Sequence, residues 1–272
     1  GAETFGADRS GFATMEEDMK TVFMFSGQGA QYAGMGKDLY KNYPVAKEIF
    51  DRADNVLGYS IKDICFEDEQ KLGETEFAQP AILTMSIAAM KVLEEEGVRA
   101  DMTAGLSLGE YSAYVASEAM DFEEAVALVQ KRGKFMAEAV PSGEGAMYAI
   151  IGLDTALVEE ACAEATAEGD GLAVPANYNA PGQIVIAGHA QAAKRAAALA
   201  KEKGAKLTVP LKVSGPFHTE LLQPAAEKLG PELDKMHISP MKMPVYTNVD
   251  ASKVASEQDI IPILKKQIVS PV

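Results

Sequence analysis

Residues 21–25 (Thr-Val-Phe-Met-Phe) form a short, β-prone apolar run that stops at Ser26-Gly27-Gln28-Gly29, the pattern of a buried strand followed by a tight loop. Apolar residues then recur at helical spacing over 45–57 and 81–96, the second stretch opened by Pro80 near its first turn and closed by Gly97. Residues 100–104 give a weak strand that runs into Gly105-Leu106-Ser107-Leu108-Gly109-Glu110, and 111–118 and 122–138 are rich in helix formers. Strand and helix alternate up to this point, as in an α/β layer structure.

The texture changes at about residue 146. Strand-like 146–152, helical 155–168, strand-like 172–177 and 183–188, helical 191–203 and strand-like 206–211 spell β-α-β-β-α-β, the order of a ferredoxin-like module. Helical 221–234 and β-prone 245–247 return the chain to the first unit. The predicted fold class is therefore α/β, with residues 144–212 as a small subdomain inserted into a larger one made of 19–143 and 213–272. Residues 1–18 lack apolar periodicity and are read as a leader or tag, with Met15 or Met19 as the natural start.

The sharpest local feature is the G-x-S-x-G at 105–109, with a strand before it and a helix after it. The glycines permit a cramped turn that lifts the Ser107 hydroxyl clear of the chain, and the following helix N-terminus faces developing negative charge. By itself the pattern marks no more than a serine in a tight turn, so a base is needed. There are three histidines. His189 falls where a helix opens and suits a cap; His237, beside Met236 and Ile238, suits a surface connection. His218 lies in the loop Ser214-Gly215-Pro216-Phe217-His218-Thr219, whose Gly and Pro fix the backbone and leave the imidazole available. Gly27-Gln28-Gly29-Ala30-Gln31 offers bare amides to an oxyanion and matches neither G-x-G-x-x-G nor a Walker A loop. Arg132 falls on a helix between serine and histidine.

Composition narrows the function classes. With 40 acidic against 25 basic residues the formal charge is −15, so no global field attracts nucleic acid or an anionic membrane. No apolar run approaches a membrane span. Two cysteines, Cys65 and Cys162, without a CxxC pair, fit a reducing compartment, and the protein is read as cytoplasmic. No heptad seam announces a partner copy, so a monomer is the default.

Taken together, Phe25 through Gln31, Gly105 through Glu110, Arg132-Gly133-Lys134-Phe135-Met136, Asn177-Tyr178-Asn179-Ala180-Pro181-Gly182-Gln183 and Gly215-Pro216-Phe217-His218 resemble the malonyl-CoA:acyl carrier protein transacylases and the related polyketide synthase acyltransferase domains. The resemblance implies an α/β-hydrolase-like large subdomain carrying a ferredoxin-like insertion. It implies Ser107 as nucleophile, His218 as base, the amides of Gln28 and Leu108 as oxyanion hole, and Arg132 as the reader of the malonyl carboxylate. Gln267 would orient His218 through its backbone carbonyl, and Met136, Asn177, Asn179, Gln183 and Phe217 would line the substrate pocket. Malonyl-CoA and an acyl carrier protein are the implied partners, with no cofactor and no metal. Phe217 matches the bulky residue associated in the family with malonyl over methylmalonyl. Leu106 stands where many relatives have His, and relatives continue past Ser270-Pro271-Val272, so the resemblance implies a shortened large subdomain.

An acidic carrier protein would need a local basic surface, for which Lys194, Arg195, Lys201, Lys203, Lys206 and Lys212 are the candidates. Two other readings stay open on the residues: a serine esterase or thioesterase using the same elbow, with Asp121, Asp154 or Asp170 as a triad acid, and a non-catalytic module binding coenzyme A or a carrier protein.

Overall fold

The computed structural model describes residues 19–213 and 215–272. The predicted leader, with Met15, and Ser214 of the histidine loop lie outside the described residues. The order along the chain is β1 (Val22–Phe25), α1 (Lys37–Asn42), α2 (Pro44–Leu57), α3 (Ile61–Glu67), α4 (Glu69–Leu72), α5 (Thr75–Glu95), β2 (Met102–Gly105), α6 (Leu108–Ala116) and α7 (Phe122–Ala139). Then follow β3 (Gly145–Ile151), α8 (Thr155–Ala167), β4 (Ala173–Ala180), β5 (Gln183–His189), α9 (Ala190–Glu202), β6 (Leu207–Pro210), α10 (Gln223–Asp234), β7 (Val245–Tyr246) and α11 (Ile260–Gln267).

Two sheets organise these elements. The first is parallel, in the order β1-β2-β7, with Phe25 opposite Gly105 and Ala104 opposite Tyr246. Parallel strands need crossover connections, and helices α1–α5 supply the one between β1 and β2. The second sheet is antiparallel throughout, in the order β4-β5-β3-β6, as a ferredoxin-like module requires. Its core is separate: Ile150, Ile184 and Ile186 pack on Val158 and Cys162 of α8 and on Ala192, Ala196 and Ala200 of α9. The alanine face of α9 lets that helix sit close to the sheet. Each Ile buried in full contributes roughly 1.5–3 kcal/mol.

The period of two in β3 has a consequence for the site. Tyr148 and Ile150 face the helices of the small module, so Met147, Ala149 and Ile151 face the other way, toward the first unit. The inserted sheet thus contributes one wall of a cleft.

The structure differs from the sequence reading in places. α5 begins at Thr75, so Pro80 lies inside the helix rather than in its first turn. The apolar count that began at residue 81 missed an opening turn containing Glu74, Glu76 and Gln79. α1, α3, α4 and α11 went unread; three are of seven residues or fewer, and α11 carries Pro262 in its first turn, where a missing N–H forfeits no helical bond. Among the described residues no helix is long and apolar enough to cross a membrane.

Candidate active site

β2 ends at Gly105 and α6 begins at Leu108, and Ser107 occupies the turn between them with φ 54° and ψ −107°, a conformation that non-glycine residues rarely adopt. The two glycines are there for space. A Cβ on Gly105 would overlap the carbonyl of Gly109, and one on Gly109 would overlap the carbonyl of Phe25 at the end of β1. Gly27 is likewise pressed against the Leu106 carbonyl, which brings the Gln28 loop to the elbow. The Leu108 amide is the first of α6 and has no helical acceptor.

His218 Nε2 lies 2.7 Å from Ser107 Oγ, and its Nδ1 lies 3.0 Å from the backbone carbonyl of Gln267. A carbonyl only accepts, so the proton of a neutral ring sits on Nδ1 and the Nε2 lone pair faces the serine hydroxyl. Burial, then the nearby Arg132 charge, hold the imidazole well below its usual range, at about 4, so it is neutral near pH 7.

Arg132, on α7, is fully buried. Its Nη1 donates to Gln79 Oε1 at 2.8 Å, and its Nη2 donates to Gln267 Oε1 at 2.9 Å and to Ser107 Oγ at 3.1 Å. The guanidinium also lies 5.3 Å from the Tyr111 ring centroid. Among the described residues no carboxylate forms a salt bridge with it, and its Nε has no partner. Neutral amide oxygens hold the cation in place while leaving its charge unmatched by an ion pair, and burial accordingly lowers its pKa.

Ser107 and His218 open onto a cavity of about 330 Å³ between the two sheets. Gln28, Leu108, Met136, Asn177, Asn179, Gln183 and Phe217 all line it, along with Met147, Ala149 and Ile151 of β3. Arg132 and Gln267 lie behind this wall; Arg132 reaches it through Ser107 Oγ, and Gln267 Nε2 donates to the Ser107 backbone carbonyl at 2.8 Å. A somewhat larger cavity, about 360 Å³ between β1 and α5, has mostly apolar walls with no acid, base or cation. Chemistry, not size, picks the site.

Sequence reasoning missed three residues. Gln79 holds Arg132 and donates to Met136 Sδ at 3.3 Å. Asn248 bonds both sides of the elbow, and Glu110, wholly buried, accepts from the Asn248 amide at 2.7 Å. Gln79 and Asn248 stand outside any local motif; Glu110 was visible as a charge at the start of an otherwise apolar helix. The basic surface is smaller than the sequence suggested. Arg195 pairs with Glu168, which caps the end of α8, and with Glu202, and Lys203 pairs with Glu164 and Glu160 of α8, which leaves Lys194, Lys201, Lys206 and Lys212 outside the salt bridges among the described residues.

A serine hydroxyl held between an imidazole lone pair and a guanidinium, on the elbow of an α/β fold, is the arrangement of an enzyme that handles acyl groups through a serine ester. Residues 22–272 match the acyl transferase domain family, and the chain belongs to it. It is 50% identical over 254 residues to the malonyl CoA-acyl carrier protein transacylase of Bacillus subtilis, covering 93% of this chain and 80% of that one. Against the Escherichia coli protein of the same name the identity is 46% over 253 residues, covering 92% and 81%. Among solved structures, MCAT from Streptococcus pneumoniae superposes with a TM-score of 0.88 at 50% identity, covering 93% of this chain and 82% of that one. The malonyl-transacylase of a complex with its type II PKS acyl-carrier protein gives a TM-score of 0.90 at 41% identity, covering 93% and 82%.

Proposed function

We propose that this protein transfers a malonyl group from malonyl-CoA to the phosphopantetheine thiol of an acyl carrier protein through a malonyl ester on Ser107. The observation that carries this reading is the Ser107 oxygen itself, which meets a neutral base at 2.7 Å and, at 3.1 Å, a buried cation that has no salt bridge among the described residues. A hydrolase of simple esters has no use for the cation. A malonyl group brings the carboxylate that it lacks, and the planar fork of Arg132 can take both carboxylate oxygens.

The steps follow from the geometry. His218 Nε2 takes the hydroxyl proton as Ser107 Oγ attacks the thioester carbonyl, and the Gln267 carbonyl, accepting from Nδ1, steadies the imidazolium that forms. The amides of Gln28 and Leu108 receive the oxyanion. The C–S bond breaks, His218 returns its proton to the departing thiolate, and malonyl-Ser107 remains. The carrier's thiol then enters the same cavity, gives its proton to His218 and attacks the ester, and Ser107 leaves with that proton. Atoms and charges balance using the chain's own residues and the two substrates.

The elbow residue before the nucleophile, Leu106, is partly exposed beside the cavity, so its replacement of a histidine alters the lining and removes no proton-transfer group. Residues 144–212 act as the pocket-forming subdomain within a catalytic unit made of 19–143 and 213–272. The acidic chain and its two free, buried cysteines favour a cytoplasmic setting.

Intact-protein mass after brief exposure to malonyl-CoA tests the proposal. A single malonyl adduct on the parent that is absent from Ser107→Ala supports it. A folded parent that stays unlabelled by malonyl-CoA sinks it.

A further inference from the structure

The elbow carries a clamp from a distant part of the chain. Asn248 lies two residues beyond Tyr246, the last residue of β7, and Leu106 lies two beyond its partner Ala104. The β2–β7 ladder would continue here had β2 not turned up into the elbow. The Asn248 side chain takes over the ladder: Oδ1 accepts from the Ser107 amide at 2.6 Å and Nδ2 donates to the Gly105 carbonyl at 2.7 Å. One primary amide thus bridges the backbone on both sides of Leu106, using an acceptor and a donor that aspartate does not combine. Asn248 sits in a turn closed by Thr247 Oγ1 donating to Asp250 Oδ1 and by Thr247 N donating to the Ser252 carbonyl at 2.9 Å, so its backbone is fixed.

Beneath it lies Glu110. Its Oε1 accepts from the Asn248 amide, while its Oε2 is buried and has no hydrogen-bond partner among the described residues. A carboxyl so placed is costly to bury; Tyr114 and Gln267 lie beside it, and its hydrogen bond at 2.7 Å is to the backbone of the clamping residue. Burial pushes its pKa up to about 7, and in the neutral form a carboxyl oxygen still accepts.

We propose that Asn248, seated on Glu110, is a positioning residue that keeps Ser107 in its strained, raised conformation. This rests on Ser107 being the nucleophile and asks nothing of malonyl specificity. Two hydrogen bonds are of the size needed to offset the strain of a single residue outside the allowed backbone regions.

The test uses two reagents on the full chain: malonyl-CoA, and phenylmethanesulfonyl fluoride, which needs a positioned serine and no carboxylate site. Asn248→Ala and the nearly isosteric Asn248→Asp are expected to slow both reactions in parallel, by about 10- to 100-fold, with little change in KM for malonyl-CoA. Glu110→Gln, which keeps an oxygen acceptor, should stay within about threefold of the parent, whereas Glu110→Ala should slow both reactions like the Asn248 variants. Thermal melts and circular dichroism establish that each variant is folded, and Asn248→Asp carries the test if the alanine variant does not fold. A folded Asn248 variant sulfonylated at the parent's rate overturns the clamp. A parent that is sulfonylated but never malonylated sinks the transferase reading instead, and the sulfonylation rates still judge the clamp.

Discussion

Arg132→Ala separates recognition of the malonyl group from the chemistry of the serine. The guanidinium is wholly buried and held by two glutamine oxygens, so a bound carboxylate would complete an ion pair shielded from solvent. Truncating one partner of such a pair costs about 2–5 kcal/mol. The bonds to Gln79 and Gln267 must be partly exchanged when the carboxylate arrives, which places the effect in the lower part of that range. About 2–3.5 kcal/mol corresponds to a loss of about 30- to 400-fold in kcat/KM for malonyl-CoA. Arg132 also donates to Ser107 Oγ, so its removal disturbs every acyl donor. The ratio of malonyl to acetyl acylation, measured by rapid quench with labelled thioesters, cancels that shared part. Arg132→Lys should fall between, since it restores charge without the fork. If the ratio in Arg132→Ala equals that of the parent in a folded protein, the carboxylate is read elsewhere.

Other consequences can be checked separately. With His218 at about 4, acylation kcat/KM should rise with pH through that value and show no further rise from this group near 6.5; a limb at 6.5 would refute the buried, neutral imidazole. Glu110 binds a proton in the folded state between its ordinary 4.5 and about 7 that the unfolded chain has released, so it costs stability as pH rises through that window. Glu110→Gln should therefore flatten the dependence of the melting temperature on pH between those limits, and an unchanged slope argues against the shift. Gly105→Ala places a methyl on the Gly109 carbonyl and should cost about 3 kcal/mol or more in urea unfolding; a near-neutral result would mean that the elbow is looser than described. Charge reversal at Lys206 and Lys212, both exposed and outside the salt bridges, should slow transfer to the carrier protein without slowing malonyl-Ser107 formation, and equal rates would exclude that face as the docking surface.

The sequence exposed those parts of the site whose physics is local. Gly105 and Gly109 announce a cramped turn whatever surrounds them, and the β-α-β-β-α-β order of the insertion shows in its periodicity. Residues that act across the fold were invisible to the same reasoning. Asn248 meets Ser107 across 141 residues and Gln79 meets Arg132 across 53, and neither contact leaves a pattern along the chain. Gln267 was reached through family resemblance alone, since α11 is short and begins around a proline. The six-residue basic cluster shows the opposite failure. Spacing revealed the cations in and just after α9 and concealed the acids in and just after α8 that neutralise two of them.

The inserted sheet leaves the main body on β3 and comes back to it along β6, and these two strands are direct neighbours, with Ala149 opposite Val209. The chain thus enters and leaves the module through neighbouring strands, and the far edge of the sheet is pinned separately, where Tyr178 N donates to the Val272 carbonyl and Val272 N to the Ala176 carbonyl, each at 2.8 Å. Met147, Ala149, Ile151, Asn177, Asn179 and Gln183, which line the cavity at Ser107, all hang on that frame, while Ser107, His218, Arg132 and Gln267 belong to the larger unit. Refitting a stretch of about seventy residues would then change one wall of the cavity and leave the Ser107–His218 pair where it stands.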